Sequence, residues 1–110
     1  MHFNDYQKKS RATAAYLKIG GHGFLYPAIG LAGEAGELMN KVQKIFRDDR
    51  SKVTKEKKNE IKEELGDVLW FATQLATELG IPLEDVAKGN IEKLHSRKKR
   101  GVIGGSGDTR

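Results

Sequence analysis

Residues 54–80, TKEKKNEIKEELGDVLWFATQLATELG, decide how the chain folds. Ile61, Leu65, Val68, Leu69, Ala72, Leu75, Ala76 and Leu79 recur at helical spacing. Thr54 suits an N-cap, Glu56 falls in the first turn, and Gly80 suits a stop. The stretch therefore predicts one long helix. Beside its apolar stripe runs an acidic strip, Glu60, Glu63, Glu64 and Asp67, at i, i+3, i+4 and i+7. Like charges at that spacing cost a bare helix a few tenths of a kcal/mol per pair, and Lys57 and Lys62 offset only part of it. Glu64 and Asp67 end the strip against the apolar face, where bound cations would relieve the repulsion.

Upstream, a second helix is predicted from Pro27, in its first turn, to about Phe46. Its stripe is Leu31, Ala35, Leu38, Val42, Ile45 and Phe46, with Glu34 and Glu37 on the flank. Glu34-Ala35-Gly36-Glu37 and Glu64-Leu65-Gly66-Asp67 each point two carboxylates the same way. Four such groups facing across a helix seam would hold a hard cation, Mg²⁺ with Mn²⁺ as a substitute. The plainer alternative is four solvated surface acids. Gly30, Gly33 and Gly36 share a face, each costing roughly 1 kcal/mol against alanine. A helix carrying three gains something from bare backbone, either close approach of another helix or room for a ligand.

Shorter elements flank this pair. A first helix is expected from Asn4, capped with Gln7 three residues on, to about Lys18, and Gly20-Gly21-His22-Gly23 ends it. A fourth opens at Pro82 and ends in the basic run Lys93 to Arg100. Asn90, Lys93, Arg97 and Arg100 lie along one face of it. The expected fold is all-α, a four-helix bundle completed by oligomerisation. Residues 1–100 form the domain and 101–110 a flexible Gly-rich tail. Leu69, Ala76 and Phe46 are expected to lack cover in one chain, which argues for a homodimer or tetramer.

The chain has 110 residues, no cysteine and a net charge of +5. Disulfides and thiolate metal sites are excluded, and an anionic partner is favoured. No stretch approaches 18 apolar residues and the first residues do not read as a signal peptide, so a soluble, cytoplasmic protein with no membrane partner is expected.

Three functions compete. In the first, the acids hold Mg²⁺ on a nucleotide, Lys93, Arg97 and Arg100 clamp its phosphates, and Phe71, Trp70 or Tyr26 stacks on the base. In the second, a redox metal bundle uses Glu-x-x-His motifs, of which Glu92-Lys93-Leu94-His95 is the only instance. In the third, the basic end of helix four makes a non-enzymatic nucleic-acid-binding or interaction protein. No recognised nucleic-acid signature accompanies it, so no stable nucleic-acid partner is expected.

Gly30-Leu31-Ala32-Gly33-Glu34-Ala35-Gly36-Glu37-Leu38, Glu63-Glu64-Leu65-Gly66-Asp67-Val68-Leu69 and Asn90-Ile91-Glu92-Lys93-Leu94 together resemble the MazG-type nucleoside triphosphate pyrophosphohydrolases. These are all-α proteins related to the dimeric dUTPases and dCTP pyrophosphatases. The ending Lys99-Arg100-Gly101-Val102-Ile103-Gly104-Gly105-Ser106-Gly107-Asp108 is similar to the short, single-domain branch found in bacteria, phages and mobile elements. The resemblance implies metal ligands and catalytic acids at Glu34, Glu37, Glu64 and Asp67, with Asn90 and Lys93 matching the family's Asn and Lys. It implies water attack at the α-phosphorus, a nucleoside monophosphate and pyrophosphate as products, and obligate oligomers. The chain departs from the family where the first Glu of the leading pair is Gly33, for which Glu60 or Glu63 is a candidate replacement.

Overall fold

The computed structural model describes residues 1–110. It contains helices α1 (Phe3–Ser10), α2 (Leu25–Asp48), α3 (Lys55–Glu78) and α4 (Leu83–Lys99), with a 3₁₀ turn at Arg11–Thr13. An isolated bridge, Ile19 to His22, is the only β-type pairing. The chain is all-α, as the periodicity predicts.

α2 and α3 form an antiparallel hairpin whose register is read from three crossings and from Gly23, just before α2. Gly23 meets Glu78, Gly30 meets Phe71, Glu34 meets Glu64 and Asp67, and Lys41 meets Glu60. The connection turns tightly through Arg50 and Ser51, both at positive φ (51° and 63°). Thr54 caps α3 as expected, its Oγ1 accepting the Lys57 N–H at 3.2 Å. Gly80, at φ 69°, ends α3, and the Ile81 N–H returns to the Ala76 carbonyl at 2.8 Å.

α1 departs from expectation at both ends. Its cap is His2, whose N–H donates to Asp5 Oδ2 at 2.9 Å, and not Asn4. Gln7 therefore has no capping role and works across the fold. Its Nε2 donates to Thr77 Oγ1 and the Ile81 carbonyl, and its Oε1 accepts the Leu83 N–H at 2.7 Å. The helix stops at Ser10 instead of running to Lys18, because contacts with α3 outweigh local helix propensity. Trp70 Nε1 donates to Thr13 Oγ1 at 2.9 Å, and Arg11 and Tyr16 both converge on the Glu78 carboxylate.

The interior is small and partly polar. Ile45, Ala76 and Leu83 are its buried apolar residues, joined by Pro27, Ser10, Thr73, Gln74 and Arg97. Gln74 Nε2 donates to Ser10 Oγ at 2.9 Å, and Gln74 Oε1 accepts from Arg11, so the buried amide is satisfied. Ala76 is buried within the chain, contrary to expectation, whereas Phe46 (67% exposed) and Leu69 remain open. The radius of gyration is 16.8 Å, against about 13 Å for a compact chain of this length. One copy thus leaves much apolar surface uncovered.

Candidate metal centre

The hairpin register sets a ladder of layers across the α2–α3 seam. At its centre, Glu34, Glu64 and Asp67 each offer an oxygen, all within 4.8 Å of one another. Glu34 and Glu64 are half-buried and Asp67 is exposed, so the trio opens to solvent on one side. The Glu34 carboxyl is raised above its ordinary value, first by burial, then by the charges of Asp67 and Glu64, with Glu37 contributing least. An all-oxygen set with uncompensated negative charge fits a hard divalent cation.

Glu37 stands outside the trio, one turn further along α2, exposed and without an ion pair. One turn beyond Glu64, Glu60 is engaged by Lys57 at 3.2 Å and Lys41 at 4.0 Å. Glu60 is thereby paired with cations and lies outside the trio. Glu63 is exposed and lies outside the trio.

An aromatic layer lies one turn away on the other side. The Phe71 ring occupies the space where a Gly30 side chain would begin, within 2.2 Å of an ideal Cβ. Close approach explains Gly30. It does not explain Gly33, Gly36, Gly66 or Gly89, where a Cβ would meet nothing within 4 Å. Around Phe71, Trp70 packs edge-on at 5.1 Å and Tyr26 is tilted at 6.4 Å, with Tyr16 stacked on Tyr26 at 5.4 Å.

A residue that sequence reasoning placed only in an apolar stripe feels the charge of these acids. The Tyr6 phenol on α1 is raised by burial and then by the charge of Asp67, which places it within electrostatic reach of the acids. Its spacing in the thin α1 stripe carries no hint of this, since the proximity comes from how α1 crosses α3.

The cations of α4 are elsewhere engaged. Lys93 Nζ lies 3.4 Å and Arg97 Nη2 3.1 Å from Asp108 Oδ1, and neither pairs with an acid of the trio. The Arg97 side chain is only 5% exposed. Arg100 is exposed and donates to Ser96 Oγ and the Arg110 carbonyl. Asn90 is exposed, one turn before Lys93. The single chain therefore assembles the acids and the aromatic layer but does not join the basic face of α4 to them by any ion pair.

Fold and site together define an all-α protein built on a helix hairpin with a carboxylate-lined seam. Residues 27–102 match the family model for the MazG nucleotide pyrophosphohydrolase domain, and the chain belongs to that family. It is 46% identical to the gene 37 protein of Mycobacterium phage L5 over 114 aligned positions, covering all of both chains. It is also 42% identical to the uncharacterized protein YvdC of Bacillus subtilis (strain 168) over 72 positions, 61% of this chain and 68% of that one. No solved structure matches it. No helix is long and apolar enough to cross a membrane.

Proposed function

We propose that the protein is a Mg²⁺-dependent pyrophosphohydrolase that cleaves a ribo- or deoxyribonucleoside triphosphate to its monophosphate and pyrophosphate. Water attacks the α-phosphorus, and the role is cleansing of the nucleotide pool. The observation that carries this reading is the convergence of Glu34, Glu64 and Asp67 within 4.8 Å in a chain of this family. These three would hold the cation. When bound, Mg²⁺ supplies charge neutralisation at the phosphate and lowers the pKa of a coordinated water.

The remaining work falls to the chain's own residues. Glu37, exposed and unpaired beside the trio, is the acid free to orient the attacking water and accept its proton at a carboxylate oxygen. Tyr6 stands near Asp67 as a hydroxyl donor toward substrate or water. The half-exposed face of Tyr26 and the edge of Phe71 offer the base a stacking surface one turn from Glu34, with Gly33 leaving room between. Lys93 and Arg100 serve the phosphates, with Asn90 on the same face. A homodimer, or a pair of dimers, completes the bundle over the open apolar faces.

The test is pyrophosphate and monophosphate release over the eight common nucleoside triphosphates, in Mg²⁺ and in EDTA. Metal-dependent release of both products from at least one of them is expected. Their absence throughout, from folded protein, rejects the proposal.

A further inference from the structure

The segment after α4 reads by composition as a flexible tail, yet in the structure it is folded back on the helix. Gly101, at φ 72°, reverses the chain, with the Val102 N–H donating to the Arg97 carbonyl at 2.9 Å and the Gly101 N–H to the Lys98 carbonyl at 3.2 Å. Those two bonds make an ordinary helix end. The arrangement of residues 103–110 goes beyond what capping requires.

The Arg110 guanidinium gathers carbonyls from around the loop: Val102 and Gly104 at 3.2 Å through Nε, Ile103 at 3.2 Å through Nη2, and Gly107 through Nη1. Arg100 holds the Arg110 carbonyl at 2.8 Å. No backbone N–H from Ile103 to Arg110 donates to any group of the protein. The carbonyls converge on Arg110 while the amides stay unpaired, and Gly105 (95°) and Gly107 (86°) have the positive φ that anion-binding turns of backbone amides use.

A second observation points the same way. Arg97 is buried under this loop, gives Nη2 to Asp108 and the Gly107 carbonyl, and keeps a buried Nε with no partner. Between residues 93 and 110 stand Lys93, Arg97, Lys98, Lys99, Arg100 and Arg110, against Asp108 and the terminal carboxyl of Arg110, which Arg100 holds. The charge of Asp108 is taken up by Lys93 and Arg97, which hold its carboxyl below the ordinary value, Arg97 foremost. Free amides and excess positive charge thus meet in one loop, which the buried guanidinium of Arg97 holds from beneath.

We propose that the loop of residues 101–110 is a polyphosphate-binding element that takes the terminal phosphates of the nucleoside triphosphate. This rests on the function proposed above and deepens it. Arg97 is then a positioning residue, which fixes the loop through Gly107 and Asp108 and does not itself clamp an exposed phosphate. The amides of Ile103–Gly107, with Lys93 and Arg100, supply the donors.

The probe is inorganic tripolyphosphate, titrated calorimetrically in EDTA at physiological ionic strength, so that the acidic trio and its cation play no part. The double variant Gly105→Ala with Gly107→Ala changes no charge but strains the positive-φ positions. It is expected to weaken binding about tenfold, roughly 1.4 kcal/mol. Arg110→Lys keeps the charge, loses the multi-carbonyl fork and should weaken binding similarly. Lys98→Ala removes a neighbouring surface charge and should stay within about twofold of the parent. Helix content by circular dichroism should be the same in all of them. The proposal is overturned if the parent binds no tripolyphosphate, if both loop variants bind within twofold of it, or if Lys98→Ala loses as much as they do. Failure of nucleotide hydrolysis alone would strike the proposed reaction and leave this binding comparison readable.

Discussion

Glu34, Glu64 and Asp67 offer oxygens within 4.8 Å of one another, and the Glu34 carboxyl is raised first by burial and then by the charges of Asp67 and Glu64. Neutralising one of them should help the metal-free fold and harm the reaction. Asp67→Asn is expected to remove nearly all Mg²⁺-dependent turnover while raising the unfolding free energy in EDTA by a few tenths of a kcal/mol for each like-charge pair relieved. Activity at the parent level in purified Asp67→Asn would end the metal assignment. Glu78 carries the opposite shift. Its carboxyl is lowered, first by the Tyr16 hydroxyl and then by Arg11, whose guanidinium is 2.7 Å away. A lowered acid stabilises the fold above its ordinary value of 4.5, and that contribution is lost as pH falls below 4.5 through the folded value. Glu78→Gln should therefore cost about 1–2 kcal/mol at neutral pH and flatten the decline in stability on the acid side. Urea titrations at neutral and acid pH check both.

At the scale of elements, the α2–α3 hairpin was the part most open to sequence reading. The eight-position stripe of α3, Thr54 and Gly80 all act locally, so period and caps suffice to place the helix. The carboxylate pairing followed from the same periodicity for Glu34, Glu64 and Asp67. That Glu37 falls outside the trio did not follow, because it depends on how far the two helices cross. The true end of α1 was hidden for a related reason: Thr13 and Tyr16 answer to Trp70 and Glu78, nearly 60 residues or more away in sequence. Likewise the fold of residues 101–110 depends on Arg110 reaching back to four carbonyls, which composition does not encode. Glycine placement separates into two kinds. Gly30→Ala must displace the Phe71 ring and should cost about 1–3 kcal/mol. Gly33→Ala meets nothing in the chain and should stabilise α2 by up to about 1 kcal/mol. Chemical denaturation of the two variants beside the parent gives the comparison, and a parent-like Gly30→Ala would contradict the Phe71 contact.

The molecule as a whole is too open for its length, with three buried apolar residues, Ile45, Ala76 and Leu83, as its dry interior. Phe46, Leu65, Ile91 and Leu94 stand exposed on the long helices. Hydrophobic burial at about 25 cal/mol per Å² is the main favourable term in folding, and a single copy forgoes much of it. Light scattering at micromolar concentration is expected to give at least twice 12.2 kDa, and unfolding midpoints should rise with protein concentration. A folded species at 12.2 kDa with a concentration-independent midpoint would contradict the oligomer.

The three hydrogen bonds of Gln7 have a kinetic consequence. α1 has only 8 residues, too few to persist as an isolated helix. Its order is borrowed from α3 and the α3–α4 turn, through Gln7, which touches Thr77, Ile81 and Leu83, and through Ser10, which Gln74 holds. The two segments should therefore open together, as one low-stability unit, ahead of the hairpin. In native-state hydrogen exchange the amides of α1 and that of Leu83 are expected to share one opening free energy. Gln7→Ala should lower it for all of them at once, leaving the central amides of α3 at the global value.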